Sequence, residues 1–405
     1  MTGETIKYQR KELELKALLE ITQAINENKN ERVLLNIFKF TCLVHLNIKS
    51  MVLYVYNQQE QFFLRRISHQ VKEKLPEEIQ KGDVQENKEL GKLSLSLSGE
   101  YSFAEVNIYV PVYHKDKMLA ILFLSTKDED AGLDLDFTQA LTNILVVALE
   151  NKRFARKQLE QESFRKEMEI ASNVQRMLFP ATLPNHEKLK AKVTYIPHFS
   201  VGGDYYDLIQ PTEDDVYFCV GDVSGKGMPA SLLMSNFQAA LRTLLRSGTD
   251  LKTIVEQLNL SIFDATKGER FITFFLGHYS YSQKKLTYVN AGHNPPILCL
   301  NSKDSAELLE AGTTILGAFE NLPFLELGER KNLDHFVLHL YTDGLTEAMN
   351  PQDEEYGEER LLSFINHCRD STPEDFHVGL LEDMEKFSDG VPGRDDITLL
   401  SLQFN

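Results

Sequence analysis

The sequence predicts an α+β protein in which two globular units are joined by a long helix. At 405 residues the chain exceeds what one typical core accommodates. Residues 11–152 mix amphipathic helices with short β-branched and aromatic runs, and residues 179–405 do so with more strands and glycine turns. A charged stretch, 137–178, overlaps the end of the first unit; it keeps helical spacing but cannot bury its charged faces alone.

The first unit opens with the helix KELELKALLEITQAINE, whose Leu13, Leu15, Leu18, Leu19, Ile21 and Ile25 fall near helical spacing. A second helical stretch, ERVLLNIFKFTCLV, leads to the strand-like runs SMVLYVY, QFFLRRIS, VNIYVPVY and MLAILFLST. A helix beginning near Phe137 closes the unit. This order, with an apolar strand after VPVYHKDK and the ending LVVALENKRFA, resembles a GAF domain, an α/β sensor or dimerisation module. The N-K-x-F-D-E signature of cyclic-nucleotide-binding GAF domains is not found. A pocket for an unknown small ligand and a purely structural role both stay open.

In the connecting helix Leu141, Leu145, Ala148, Ala155 and Leu159 lie three, four or seven apart, a rough heptad phase that Lys152 and Glu162 interrupt. The reading is a two-chain coiled coil and hence a homodimer; the alternative is a lone solvated linker. After Pro180 come VTYIPHF, DVYFCVGDV, FITFFLGHYS, KLTYVNAG, FVLHLYTDG and ITLLSLQF, strand-like runs bounded by turn residues. MPASLLMSNFQAALRTLLRS and LKTIVEQLNLSIFDA are amphipathic helices among them. Short links between adjacent strands predict antiparallel sheets with helices outside.

Charge narrows the partners. Lys and Arg number 43 against 60 Asp and Glu, a formal charge of −17. Such a surface repels nucleic acid and anionic membrane, so the expected partner is a protein or a small ligand. MTGETIKYQRKELELK lacks the apolar core of a signal peptide, and no run of about 18 apolar residues marks a membrane span. Cys42, Cys219, Cys299 and Cys368 are scattered and form no C-x-x-C pair. Together these features predict a cytoplasmic protein.

Chemistry concentrates at aspartates. Asp204 follows two glycines in VGGDYYDLI; Asp222 ends a strand before the glycine turn in VYFCVGDVSGKG; Asp343 does likewise in VLHLYTDGL; Asp395 and Asp396 precede the last strand in GRDDITLLSL. Any single Asp beside Gly is ordinarily a turn residue, as Asp389 in KFSDGVPG illustrates. Four in series predict strands that each deliver a carboxylate to one site. Uncompensated, those charges repel, and a divalent cation resolves the conflict. An all-oxygen ligand set suits Mg²⁺ or Mn²⁺ rather than Zn²⁺. The glycine-glycine-aspartate run is not a diguanylate cyclase signature, because Tyr205 and Tyr206 stand where Glu and Phe belong. GDVSGKG is not a Walker A loop either, since it lacks the first glycine and the Ser or Thr after lysine.

AxxVQRMLFP (Ala171 to Pro180), VGGDYYD, GDVSGKGMPASLLMS, NAGHNPP, LYTDGLTEA and DDITLL stand in the order seen in bacterial PPM-type serine phosphatases, the RsbU and SpoIIE-like enzymes. The resemblance covers about Met168 to Asn405. It implies an αββα sandwich, two sheets face to face with helices outside, and two Mg²⁺ or Mn²⁺ ions at one edge. By residue, Asp222 matches the metal-bridging aspartate, and the carbonyl of Val223 stands where the family uses a glycine carbonyl. Asp204 matches the aspartate contributing to the second metal. Asp343 and Asp395 match the remaining ligands, with Asp396 the alternative to Asp395; Asp207 is near enough to reach a metal through water. The implied reaction is hydrolysis of phosphoserine or phosphothreonine by metal-activated water, without a phospho-enzyme. The implied substrate is a small regulatory protein, in this family a phosphorylated anti-sigma-factor antagonist. Two departures leave roles open. Ser224 replaces the histidine of eukaryotic D-G-H-G-G, and no arginine precedes Asp204 to bind phosphate. Lys226 is either a phosphate contact or a solvated turn residue. His293 in NAGHNPP is either an acid or part of a structured turn. A non-catalytic pseudophosphatase that scaffolds partners is the competing reading.

Overall fold

The computed structural model describes residues 3–57, 60–71, 75–80, 91–92, 106, 108–114, 117–127, 133–300 and 306–405. The chain forms two compact units, Met1–Glu162 and Ser163–Asn405. Their division falls inside a helix. Among the described residues no helix is long and apolar enough to cross a membrane.

The first unit contains α1 (Gly3–Asn26), α2 (Glu31–His45), β1 (Ile48–Asn57), β2 (Phe62–His69), β3 (Glu78–Gln80), β4 (Gly91–Lys92), β5 (Ile108–His114) and β6 (Lys117–Thr126). Asn30 starts α2, its side chain accepting from the Val33 N–H at 2.9 Å. The strands form one antiparallel sheet in the order β3-β2-β1-β6-β5-β4. β1 is apolar at nearly every position because both of its faces are covered. Met51, Leu53 and Val55 pack with Leu34, Phe38, Leu141 and Leu145. Val52 and Tyr54 pack with Phe63, Tyr109 and Phe123. Part of the run VNIYVPVY, at Asn107, lies outside the described residues.

The helix that spans the division, α3 (Leu135–Arg176), begins two residues before and ends two before the stretch read from sequence. Asp134 caps it through the Phe137 N–H at 2.9 Å. Phe154, Leu159, Phe164, Ile170 and Val174 stand exposed along it in the single chain.

The second unit continues with β7 (Asn185–His186), β8 (Leu189–Ile196), β9 (Tyr205–Ile209), β10 (Asp215–Val223), α4 (Met228–Arg246), α5 (Leu251–Thr266), β11 (Ile272–Ser280) and β12 (Lys285–Ala291). It is completed by β13 (Ile297–Leu300), β14 (Glu307–Leu308), β15 (Gly312–Thr313), β16 (Gly328–Lys331), β17 (Phe336–Tyr341), α6 (Asp343–Thr346), α7 (Gly357–His367), α8 (Pro373–Ser388) and β18 (Ile397–Phe404). One sheet runs β15-β12-β11-β10-β9 with β16 beside β12; the other runs β14-β13-β17-β18-β8-β7. The pairing is antiparallel except between β12 and β15. The sheets meet through aromatic rings: the ring of Phe404 in the second sheet lies 4.7 Å from that of Tyr279 and 6.2 Å from that of Phe218 in the first. Met234, Phe237, Ile254 and Leu258 of α4 and α5 cover the first sheet. Leu361, Ile365, Phe376 and Leu380 of α7 and α8 cover the second. The result is helix, sheet, sheet, helix.

Beneath α8, Ser401 Oγ lies 2.8 Å from His339 Nδ1 and 2.9 Å from His377 Nε2, while His377 Nδ1 lies 2.7 Å from Thr194 Oγ1. Burial pushes both imidazoles down to about 3, with His339 and Lys192 adding repulsion at His377. The unfolded chain takes up these protons below the ordinary value of 6.5, whereas the folded chain does so only near pH 3. Stability therefore falls as the pH drops through that window. At pH 5 each histidine costs about 2 kcal/mol. Urea unfolding at pH 7.5 and 5.0 checks this: in His377→Asn the loss between the two pH values shrinks by about 2 kcal/mol relative to wild type.

Candidate active site

Four strand ends of the sandwich place their carboxylates together. Asp222 is the penultimate residue of β10; Asp204 directly precedes β9, the neighbour of β10; Asp343 follows β17 by two residues; Asp395 and Asp396 lead into β18. Asp204 is 1% exposed, and its Oδ2 accepts from Thr342 Oγ1 at 2.8 Å and Thr398 Oγ1 at 2.5 Å. Burial first, and then the charge of Asp222, hold its carboxyl well above the usual carboxylate range. Burial, followed by repulsion from Asp343 and Asp395, pushes Asp222 up to about 7. Asp343 is raised by burial and then by Asp395. Each acid thus feels its neighbours, the electrostatic signature of charge converging on one point.

Asp395 carries the compensating cation. Lys226 Nζ lies 2.6 Å from Asp395 Oδ2 and donates to the Arg394 carbonyl at 2.6 Å. The lysine read as a phosphate contact or a solvated turn residue is therefore seated on the acidic cluster. Asp396 plays a different part. Its Oδ1 accepts the His198 N–H at 2.7 Å and its Oδ2 the Gly203 N–H at 2.8 Å. Those bonds fasten the loop that carries Asp204.

The two glycines of that loop are needed for close approach. A methyl on Gly203 would sit 2.8 Å from the Val223 carbonyl and 3.1 Å from Asp222 Oδ1. One on Gly202 would strike the Asp396 carboxylate and the Tyr195 hydroxyl. The last turn of α3 grips the same loop: Gln175 Nε2 donates to the Gly202 carbonyl at 2.8 Å and its Oε1 accepts the Gly202 N–H at 3.1 Å. Leu178 packs on the core, and its carbonyl accepts from Gln238 Nε2 at 3.0 Å and Arg242 Nη2 at 3.3 Å.

Asp207 does not face the cluster. It is held by Arg242 of α4, Nε to Oδ2 at 2.7 Å and Nη2 to Oδ1 at 3.2 Å, and by the Tyr205 hydroxyl at 2.6 Å. Alternation along β9 explains the correction, because Tyr205 and Asp207 share one face of the strand. Asp389 sits in the left-handed region at φ 43° as the cap of α8, the turn residue expected. His293 is 6% exposed, its Nδ1 2.8 Å from Thr273 Oγ1, and burial pushes it down to about 4. Near neutrality it holds no extra proton for an acid to give. Thr342, Thr398, Gln175 and Arg242 were not singled out from sequence. Thr342 had a signal in its place directly before Asp343; the others had none.

Among the described residues no three His, Cys, Asp or Glu side chains form a ready metal cage. The donors at this edge nevertheless fit a hard divalent cation: Asp222, Asp343 and Asp395, the Val223 carbonyl within the cradle that Gly203 leaves open, and Asp204 behind them. Mg²⁺ binds through few carboxylates and keeps several waters, so it needs no closed protein cage.

Residues 212–405 match the family model described as Stage II sporulation protein E (SpoIIE). Phosphoserine phosphatase RsbU of Bacillus subtilis is 29% identical over 188 residues, 46% of this chain and 56% of that protein. Protein IcfG of Synechocystis sp. is 29% identical over 268 residues, 60% of this chain and 42% of that protein. The chain spans about half the length of the curated relatives it matches. The SiaA-PP2C domain of Pseudomonas aeruginosa has the same fold at 20% identity, with a TM-score of 0.53 over 61% of this chain and 99% of that one.

Proposed function

We propose that this chain, whose carboxy-terminal unit is a SpoIIE-type PP2C phosphatase domain, is a metal-dependent protein serine/threonine phosphatase. The observation that carries the reading is the convergence of Asp204, Asp222, Asp343 and Asp395 at one edge of the sandwich, where Asp222 raises the proton affinity of Asp204, Asp343 and Asp395 raise that of Asp222, and Asp395 raises that of Asp343. Such a cluster is costly for a fold to keep without a cation to hold. Asp222, Asp343, Asp395 and the Val223 carbonyl would hold one ion and Asp204 would serve a second, each Mg²⁺ or Mn²⁺. When bound, the ions activate water and offset charge on the phosphoryl oxygens. The protein's own part is to hold the carboxylates in place. Thr342 and Thr398 fix Asp204, the Gly202–Gly203 loop brings it to Asp222, and Lys226 supplies positive charge at the rim.

The substrate class is a phosphoserine or phosphothreonine on a cytoplasmic regulatory protein of the anti-sigma-factor-antagonist type, as the kinship with RsbU supports. A pseudophosphatase scaffold is the weaker reading, since a decayed site has no reason to retain all four aspartates. Hydrolysis of a phosphoserine protein and of p-nitrophenyl phosphate with Mn²⁺, with and without EDTA, tests the reading. A chain inert towards both in Mn²⁺ overturns it.

The amino-terminal unit is a GAF-like sensor in this proposal, and α3 pairs with its copy in a homodimer. The exposed Leu159, Ile170 and Val174 on α3 support that pairing. Control runs through the end of α3, where Gln175 and Leu178 meet the loop and helix that frame Asp204. Helices can shift between packings that differ by a few kcal/mol. In the full chain, Leu178→Asp is expected to disengage this turn and change the Mn²⁺ concentration needed for half-maximal turnover. An unchanged Mn²⁺ dependence would make the helix a passive tether.

A further inference from the structure

We infer that His293 is a positioning residue for the metal site: it ties the strand that carries Asp222 to the strand that delivers Asp343. The inference rests on the phosphatase reading above and adds a residue to it. Thr273 stands opposite Asp222 in the β10–β11 ladder, so the two side chains leave that sheet on the same face. Thr273 Oγ1 lies 2.8 Å from His293 Nδ1. The backbone of His293 is fixed independently of its ring. Its N–H donates to Asn290 Oδ1 at 2.8 Å, and its carbonyl accepts from Asn290 Nδ2 at 3.0 Å.

The other end of the ring reaches the second sheet. Nε2 is buried and has no hydrogen-bond partner among the described residues, and the Tyr341 backbone is near enough to the ring to favour its protonated form. That carbonyl precedes Asp343 by two residues at the end of β17. Pairing of β17 with β13 stops at His339 and Ile297. The residues before Ile297 are Pro295 and Pro296, which have no N–H to offer Tyr341. With Nδ1 accepting the Thr273 hydroxyl, the ring proton sits on Nε2 and is directed at Tyr341. A buried donor left unsatisfied is costly, and a small closure of the two strand ends satisfies it. One neutral imidazole therefore favours the arrangement in which Asp222 and Asp343 face the same ion.

The test uses the full chain with His293→Ala, His293→Gln and Thr273→Val. Mn²⁺ binding is read by titration calorimetry without substrate, alongside kcat and KM for p-nitrophenyl phosphate at saturating Mn²⁺. His293→Ala is expected to weaken Mn²⁺ binding by about tenfold or more, as loss of a group supporting metal ligands does, with KM for the ester unchanged. His293→Gln keeps an N–H for Tyr341 and recovers most of the affinity. Thr273→Val keeps the β-branched shape without the hydroxyl and weakens binding in the same direction. Wild-type Mn²⁺ affinity in both His293→Ala and Thr273→Val, with an active wild type, overturns the inference. So does an equal loss in the Ala and Gln variants that follows a lowered thermal midpoint, which marks a merely structural histidine. A wild type that neither binds Mn²⁺ nor hydrolyses the ester overturns the phosphatase reading as well.

Discussion

Asp222→Asn and Asp343→Asn are expected to abolish Mn²⁺-dependent hydrolysis while leaving the fold intact. The loss exceeds about a hundredfold in turnover, the scale on which removing one preorganised electrostatic group acts. Both side chains lie where burial and mutual repulsion hold carboxylates above their ordinary range. That self-repulsion is what a cation relieves, and an asparagine in place of either acid offers a weaker, uncharged donor. The stability readout moves the other way. In EDTA the wild-type cluster is a source of strain, so neutralising one member removes repulsion and the thermal midpoint does not fall. Inactive enzyme with an undiminished midpoint in EDTA is the expected pair of results. A variant that turns over normally in Mn²⁺ refutes the assigned ligands; a variant that melts early implies that the acid holds the fold rather than a metal.

The aspartates were legible because their chemistry is written locally. A polar residue at the end of an apolar strand and beside glycine has few structural uses, and four such places in series point to one site. The strand runs from VTYIPHF to ITLLSLQF were equally plain, since β-branched and aromatic residues bounded by turns carry a period-two signal. What the sequence hid were partners distant along the chain. Arg242 lies within the amphipathic helix α4 and reads as one more solvated charge; only the fold brings it to Asp207. Gln175 reads as part of a polar helix, yet its amide pairs with both backbone groups of Gly202. Asp395 and Asp396 are adjacent and identical, so composition gave no means to separate them. The loop contacts differ: Asp396 accepts the His198 and Gly203 amides, and Asp395 pairs with Lys226.

Arg242→Met is expected to destabilise the phosphatase unit by about 3 kcal/mol, the lower end of what breaking a buried ion pair costs. Asp207 is 1% exposed, and its carboxylate takes both guanidinium contacts. Removing the cation leaves that charge buried with the Tyr205 hydroxyl and the Leu208 N–H as its remaining donors. The arginine side chain is 30% exposed, so water compensates it better than it compensates the acid. Asp207→Asn is accordingly the milder change, because the stranded partner can hydrate. The two losses do not add: Arg242→Met in an Asp207→Asn background costs less than in the wild type, since no charge is then left alone. Urea unfolding at pH 7 of the four proteins in this cycle measures the coupling. A single-variant loss under about 1 kcal/mol would place the pair among weak surface bridges. The arginine also donates to the carbonyl of Leu178, just past α3, so its loss removes one of the two side-chain bonds to that carbonyl. The same variant should therefore alter the Mn²⁺ dependence of turnover, whereas Asp207→Asn, which keeps the Leu178 bond, should alter it less.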